Sequence, residues 1–189
     1  FLRWDSANTA LETYRARLHA GLSGEYETLG MDALRPHLTL YRDRVREGID
    51  KALGIGGGIM PTYFCYTAAA WEELRDEAGK TRLSVSGMPL VRVTSFERET
   101  APFFLEGPAR YLATIRDDAA AKSAIEKARA SELYDPVLGM YLTSVKLDHM
   151  SIDYGRIRAF TAGWLERESV FLHMAYKYLL GMLKADQPD

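Results

Sequence analysis

A mainly α-helical protein with a few short strands or extended segments is what three features of this sequence predict. Apolar residues recur every three to four positions in several stretches, and clusters of glycine and proline separate those stretches. Residues 163–184 are apolar around most of a helical circumference. With 189 residues, 47% of them hydrophobic, the chain can bury one real core or two small ones, and a charged fraction of 26% is ordinary for a folded protein.

The elements follow in order. Ser6 or Asn8 can cap a first helix whose apolar line is Leu11, Tyr14, Leu18 and Leu22, with Gly24 and Gly30 punctuating what comes next. A second helix is predicted from Met31 to about Leu53. Leu38, Tyr41, Val45, Ile49 and Leu53 form its stripe, and Pro36 is a candidate for its true start. The glycine-rich run 54–58 ends that helix. It follows a helix rather than a strand and lacks the Lys-Ser/Thr of a phosphate loop, so a helix stop is the better reading.

Residues 61–66 are rich in β-formers and read as extended, after which Thr67 caps a helical Ala68–Leu74 stretch ending at Gly79. Residues 81–94 alternate in part and predict a strand pair or an extended connection. A helix is expected from Pro102 to about Arg116, kinked or restarted at Pro108. Asp117 or Asp118 caps an alanine-rich helix to about Ala130, exposed along Lys122, Glu126 and Lys127. Tyr134-Asp135-Pro136 is a turn, 140–147 is extended, and Thr161 opens the longest helix, from Gly163 to about Lys184. Neither an internal repeat nor a low-complexity segment is present, so the whole chain is expected to form a single helical domain.

Several functions are excluded by composition. The net charge is −2 with acids and bases well mixed, which leaves no basic stripe for nucleic acid. No apolar run approaches the ~20 residues that cross a bilayer, so no membrane partner is expected. The single cysteine, Cys65, sits between Phe64 and Tyr66 as a small hydrophobe; with no disulfide available, the chain fits a reducing, cytoplasmic setting. The four histidines are scattered and no zinc-type spacing occurs, so no metal site is expected. Neither a nucleophile elbow nor a Cys/His pair in recognisable context is present.

On a helical wheel the terminal segment shows one narrow polar line, Glu166, His173, Lys177 and Lys184. Glu168 falls instead on the apolar arc of Trp164, Phe171, Leu172, Ala175 and Leu179. A carboxylate there must be paired, protonated or wet, since burying it alone costs several kcal/mol. Glu168 is therefore either a site residue or the partner of an arginine such as Arg156 or Arg158. Glu166 and Glu168 diverge by about 200° on a helix and cannot both face one sugar. Aromatics crowd this region (Tyr154, Phe160, Trp164, Tyr176, Tyr178) beside Arg156 and Arg158, the residue types of a carbohydrate cleft and equally of a plain core.

The run from Gly155 to Met174, including Arg158-Ala159-Phe160-Thr161, Gly163-Trp164-Leu165-Glu166 and Leu172-His173-Met174, resembles a segment of long proteins related to cellobiose phosphorylase. Lys177-Tyr178-Leu179-Leu180 continues the likeness, and Met60–Phe64, Phe104–Pro108 and Leu133–Asp135 are similar in the same order, so about residues 45–184 are covered. Three positions depart from the family's pattern: Ala162 stands for proline, Arg167 for asparagine and Ala175 for glutamate.

The resemblance implies part of an (α/α)6 toroid-type helical barrel with sugar bound at its mouth. It also implies a glycoside phosphorylase or glycoside hydrolase that acts on a β-glucoside-type bond in an oligosaccharide or disaccharide. In such an inverting phosphorylase one acid protonates the leaving oxygen while inorganic phosphate, a co-substrate rather than a cofactor, attacks the other face of the sugar. Twelve helices of about 12 residues with connections of about 5 need roughly 200 residues. The chain, which has no initiator Met, is therefore expected to be a portion of a larger enzyme. It would be completed by the remainder or by another copy, and the family's catalytic aspartate motif has no counterpart here. Glu168 is the candidate acid; Trp164, Glu166, Arg158 and His173 are the candidate sugar-binding residues. The rival reading is a non-catalytic helical module that binds a protein through exposed apolar faces.

Overall fold

The computed structural model describes residues 2–187. Its elements are α1 (Leu2–His19), α2 (Met31–Ile55), β1 (Phe64–Glu73), β2 (Val91–Thr100), α3 (Glu106–Leu112), α4 (Asp118–Arg129), β3 (Tyr134–Asp135), β4 (Met140–Tyr141), a 3-10 turn (Ile152–Tyr154), α5 (Arg156–Ala159) and α6 (Leu172–Lys184). The toroid expectation is overturned: the chain is a mixed α and β structure with two small antiparallel sheets, β1–β2 and β3–β4. The chain forms two compact units. One takes the chain up to Leu40 together with Tyr66–Glu99; the other takes Tyr41–Cys65 together with the chain from Thr100 onward.

In the first unit the expected helix at 68–74 is a strand. Alanine favours helix, but the flanking Phe64, Tyr66 and Thr67 and the facing Val91, Val93 and Phe96 favour the ladder, and pairing outweighs local propensity. Turns at Asp76–Gly79 and Ser84–Gly87 fold the intervening segment back on itself, the first with Asp76 accepting from the amides of Ala78 and Lys80. α1 begins before its expected caps. It is anchored by an Asp5–Arg92 ion pair of 2.8 Å and by the edge of Trp4 against Phe96, centroids 5.0 Å apart.

α2 runs through Pro36 in the first unit and on into the second, where it ends at Ile55 and Gly57 and Gly58 take the left-handed backbone expected of a helix stop. Pro108 falls in the first turn of α3, where its missing N–H costs nothing. Asp117 caps α4, accepting from Ala120 N at 2.7 Å, and α4 buries Ala121, Ile125 and Ala128 while its charged side stays wet. Those three pack with Leu105, Ala109 and Leu112 of the α3 region and with Tyr178 and Met182 of α6 to form the main core. A second cluster joins Phe104, Leu147 and Met150. Each fully buried Leu or Met side chain stabilises by roughly 1.5–3 kcal/mol.

The largest local correction concerns the terminal helix, which starts at Leu172 rather than Gly163. Residues 161–171 form a looped strap. Leu165 and Glu168 both take φ near +50°, a backbone no helix continues through. Tertiary hydrogen bonds hold it: Thr143 N donates to Ser169 O, Glu168 N to Ser144 Oγ, and Phe171 N to Thr143 Oγ1. Nor is α6 enclosed on nearly all sides. It buries Tyr178, Gly181 and Met182 but leaves Leu172, Tyr176, Leu179, Leu180 and Leu183 exposed. No helix among the described residues is long and apolar enough to cross a membrane.

Candidate functional site

The second unit contains a cleft of about 620 Å³, within the ~300–1,000 Å³ range of small-molecule sites. One wall comes from the extended segment around Tyr63, Phe64 and Cys65 together with Phe104 and Glu106. Thr62 joins these pieces: its hydroxyl donates to Phe104 O at 3.0 Å and accepts from Gly107 N at 2.9 Å. Position 107 must be glycine, because a Cβ there would collide with Met60 O and the Pro61 carbonyl carbon. Tyr63 meets the Phe104 ring edge-on, centroids 5.3 Å apart. Glu106 is braced by Arg110 at 2.7 Å, one helical turn on.

The opposite wall is Tyr154, Arg156, Ile157 and Glu166 with Phe171, and α6 contributes His173, Met174 and Lys177. Cys65 and Tyr154 cross the cleft with an Sγ–Oη hydrogen bond of 2.7 Å. Glu166 Oε1 lies 3.5 Å from the Arg156 guanidinium, while its Oε2 is buried and has no hydrogen-bond partner. A carboxylate half satisfied in this way is an acceptor in want of a donor, at a cost of about 1–3 kcal/mol. The cleft therefore combines aromatic faces with two carboxylates, Glu106 and Glu166, and with the cations Arg156 and Lys177 beside His173.

Of the five residues singled out in the sequence, the structure brings Glu166 and His173 together in the cleft; the other three lie outside its lining. Glu168, the candidate acid, is not on a helix. Its side chain is 16% exposed and pairs with Arg167 at 3.2 Å, the structural alternative with a different arginine from the two expected. Arg158 braces the backbone, donating to Met150 O at 3.0 Å and to Asp148 O at 2.8 Å. Trp164 is exposed and stacks edge-on against Phe160, centroids 5.4 Å apart.

Arg167, one of the departures from the family pattern, is a buried clamp. It donates to Phe160 O at 2.8 Å and Arg158 O at 3.0 Å, and pairs with Asp148 and Glu168.

Glu106 and Lys177 are lining residues the sequence reading did not select, and Arg156, also in the lining, was named there as a cleft-type residue and a possible partner of Glu168. Two signals were available: Lys177 shares the polar line of Glu166 and His173, and Glu106 sits within the Phe104–Pro108 string. The crossing of Cys65 and Tyr154, far apart in the chain, had none. Among the described residues, no group of three or more His, Cys, Asp or Glu side chains could hold a metal ion.

Comparison with protein-family models, curated protein sequences and solved structures finds no match to this chain.

Proposed function

We propose that the cleft binds a β-linked glucose disaccharide or oligosaccharide and that the chain serves a glycoside-phosphorylase-like reaction with Glu166, rather than Glu168, as the acid. The observation that carries this reading is the Glu166 carboxylate, one oxygen beside Arg156 and the other buried without a partner, in a cleft walled by aromatic rings. Aromatic faces stack on the C–H faces of sugars, and a carboxylate with a vacant lone pair accepts from a sugar hydroxyl. The terminal torsion of glutamate is broad, so a rotation presents either oxygen to the ligand.

In the reaction, the bond from C1 to the glycosidic oxygen breaks as a phosphate oxygen bonds to C1 from the opposite face. The departing oxygen keeps the electron pair and takes the proton of Glu166, which acts in this step in its carboxylic-acid form and is left as the carboxylate, giving an inverted glycosyl phosphate and a free acceptor sugar. Arg156, His173 and Lys177 are the groups available to hold the phosphate.

Saturation-transfer NMR of cellobiose and other β-linked glucose disaccharides against the whole chain tests the binding step, and release of glucose 1-phosphate on adding phosphate tests the reaction. Glu166→Gln should weaken saccharide binding roughly three- to tenfold, the worth of one hydrogen bond to a charged group, and abolish any phosphorolysis. An absence of saturation transfer at millimolar disaccharide, the upper end of ordinary KM values, would sink the reading.

The exposed apolar residues of α6 (Leu172, Tyr176, Leu180, Leu183) favour a second reading, a protein-binding surface. Stable, concentration-independent monomers without saccharide or protein binding would remove both.

A further inference from the structure

The face of α6 turned away from the cleft lines a second pocket of about 340 Å³, a size that suits a ligand of one or two rings. Its walls are unusually rich in phenols: Tyr134, Tyr141, Tyr176 and Tyr178, closed by Leu172 and by Arg129 at the solvent edge. Tyr141 stands between two of its neighbours, centroids 5.1 Å from Tyr134 and 4.7 Å from Tyr178, so ring faces and edges are presented together. Such a surface favours a flat aromatic guest.

Two further features give that guest a charge. The Arg129 guanidinium lies 5.2 Å from the centre of the Tyr134 ring, and among the described residues no carboxylate pairs with it. No Asp or Glu lines the pocket, so it is the one charged lining group there among the described residues. Tyr178 is 1% exposed, and its buried hydroxyl has the Tyr141 phenol as its polar neighbour but no hydrogen bond of full geometry. A buried donor of this kind favours an acceptor, and an exposed guanidinium at the pocket mouth with no carboxylate beside it is available to an anion.

We infer that this pocket binds a small aromatic carboxylate, its ring packed among the tyrosines and Leu172, its carboxylate paired with Arg129 and hydrogen-bonded by a buried phenol. Both phenols are protonated donors at neutral pH, as any ordinary phenol is, and burial raises their pKa further. The site stands independently of the saccharide reading, because its lining residues and those of the cleft are on different faces of α6.

The test titrates the full chain with 2-naphthoate and, separately, with its neutral isostere 2-naphthamide, by calorimetry. Wild type should bind the acid roughly tenfold more tightly than the amide, the difference a charge-assisted bond makes. Arg129→Gln should erase that difference while leaving amide binding and any saccharide binding in place. Tyr178→Phe, an isosteric change, should weaken the acid roughly threefold or more. The proposal is overturned if wild type binds neither probe, which would leave Leu172, Tyr176 and Leu179 as a protein-docking face. It is also overturned if Arg129→Gln binds the acid as tightly as wild type, or if cellobiose displaces naphthoate, which would place the aromatic acid in the cleft.

Discussion

Replacing Arg167 with methionine keeps most of the side-chain volume and removes the guanidinium, so it isolates what the clamp contributes. In the native chain that group satisfies the carbonyls of Arg158 and Phe160 and pairs with Glu168 and Asp148. Asp148 is 74% exposed and loses little. The two half-buried carbonyls lose their donors, and a hydrogen bond to a charged group is worth about 1.5–3 kcal/mol. Glu168, mostly buried, is left without its cation. Allowing for water reaching the opened strap, the net loss should be about 2–4 kcal/mol. For a chain of this size that lowers Tm by roughly 5–12 °C. Because the chain forms two compact units, the local readout is the more informative one: amide exchange of residues 158–171 should accelerate before that of α4. Arg167→Lys should recover part of the loss, since an ammonium reaches some but not all of the fork's acceptors. Equal unfolding midpoints and equal exchange for wild type and Arg167→Met would refute the clamp argument.

Three other perturbations have defined outcomes. Gly107→Ala forces a Cβ into the Met60 and Pro61 backbone and should cost about 1–3 kcal/mol in urea denaturation, with a loss of saccharide binding because one cleft wall shifts. Asp117→Ala removes the acceptor for Ala120 N and should lower stability by about 1 kcal/mol, leaving the cleft unchanged. The third concerns pH. Burial lifts the Tyr178 phenol well above its usual value of 10.0, so the folded state holds a proton that the unfolded chain gives up. That contribution is fully present below about pH 10 and declines as pH rises beyond it, since the unfolded state then binds fewer protons. Stability should fall more steeply above pH 10 in wild type than in Tyr178→Phe; matching slopes would mean that the phenol is not buried in solution.

Where a signal was local, the sequence was enough. The stop after α2, the cap at Asp117 and the wet side of α4 depend on dihedral preference and on side chains bonding their own backbone within three or four residues, whereas the turn expected at Tyr134–Pro136 starts only after Asp135, because Tyr134 and Asp135 pair with β4. Glu166 and His173 were also legible as part of one polar line, although the helical wheel that joined them was wrong for the strap.

Tertiary context decided the rest. Nothing near Ala68–Leu74 announces that β2 will pair with it, and strand pairing is a property of both partners. The segment 163–171 has a helical pattern, yet an arginine two residues from Gly-X-Leu finds carbonyls at 158 and 160, and Ser144 and Thr143 supply partners for its amides. Those bonds satisfy the Glu168 and Phe171 amides that a helix would also have satisfied, and Arg167 adds charge-assisted bonds to two carbonyls upstream of the segment, and so the strap wins. Glu168 moved from candidate acid to ion-pair partner for that reason alone: in a helix its direction would have been set by position along the chain, whereas here it is set by Arg167.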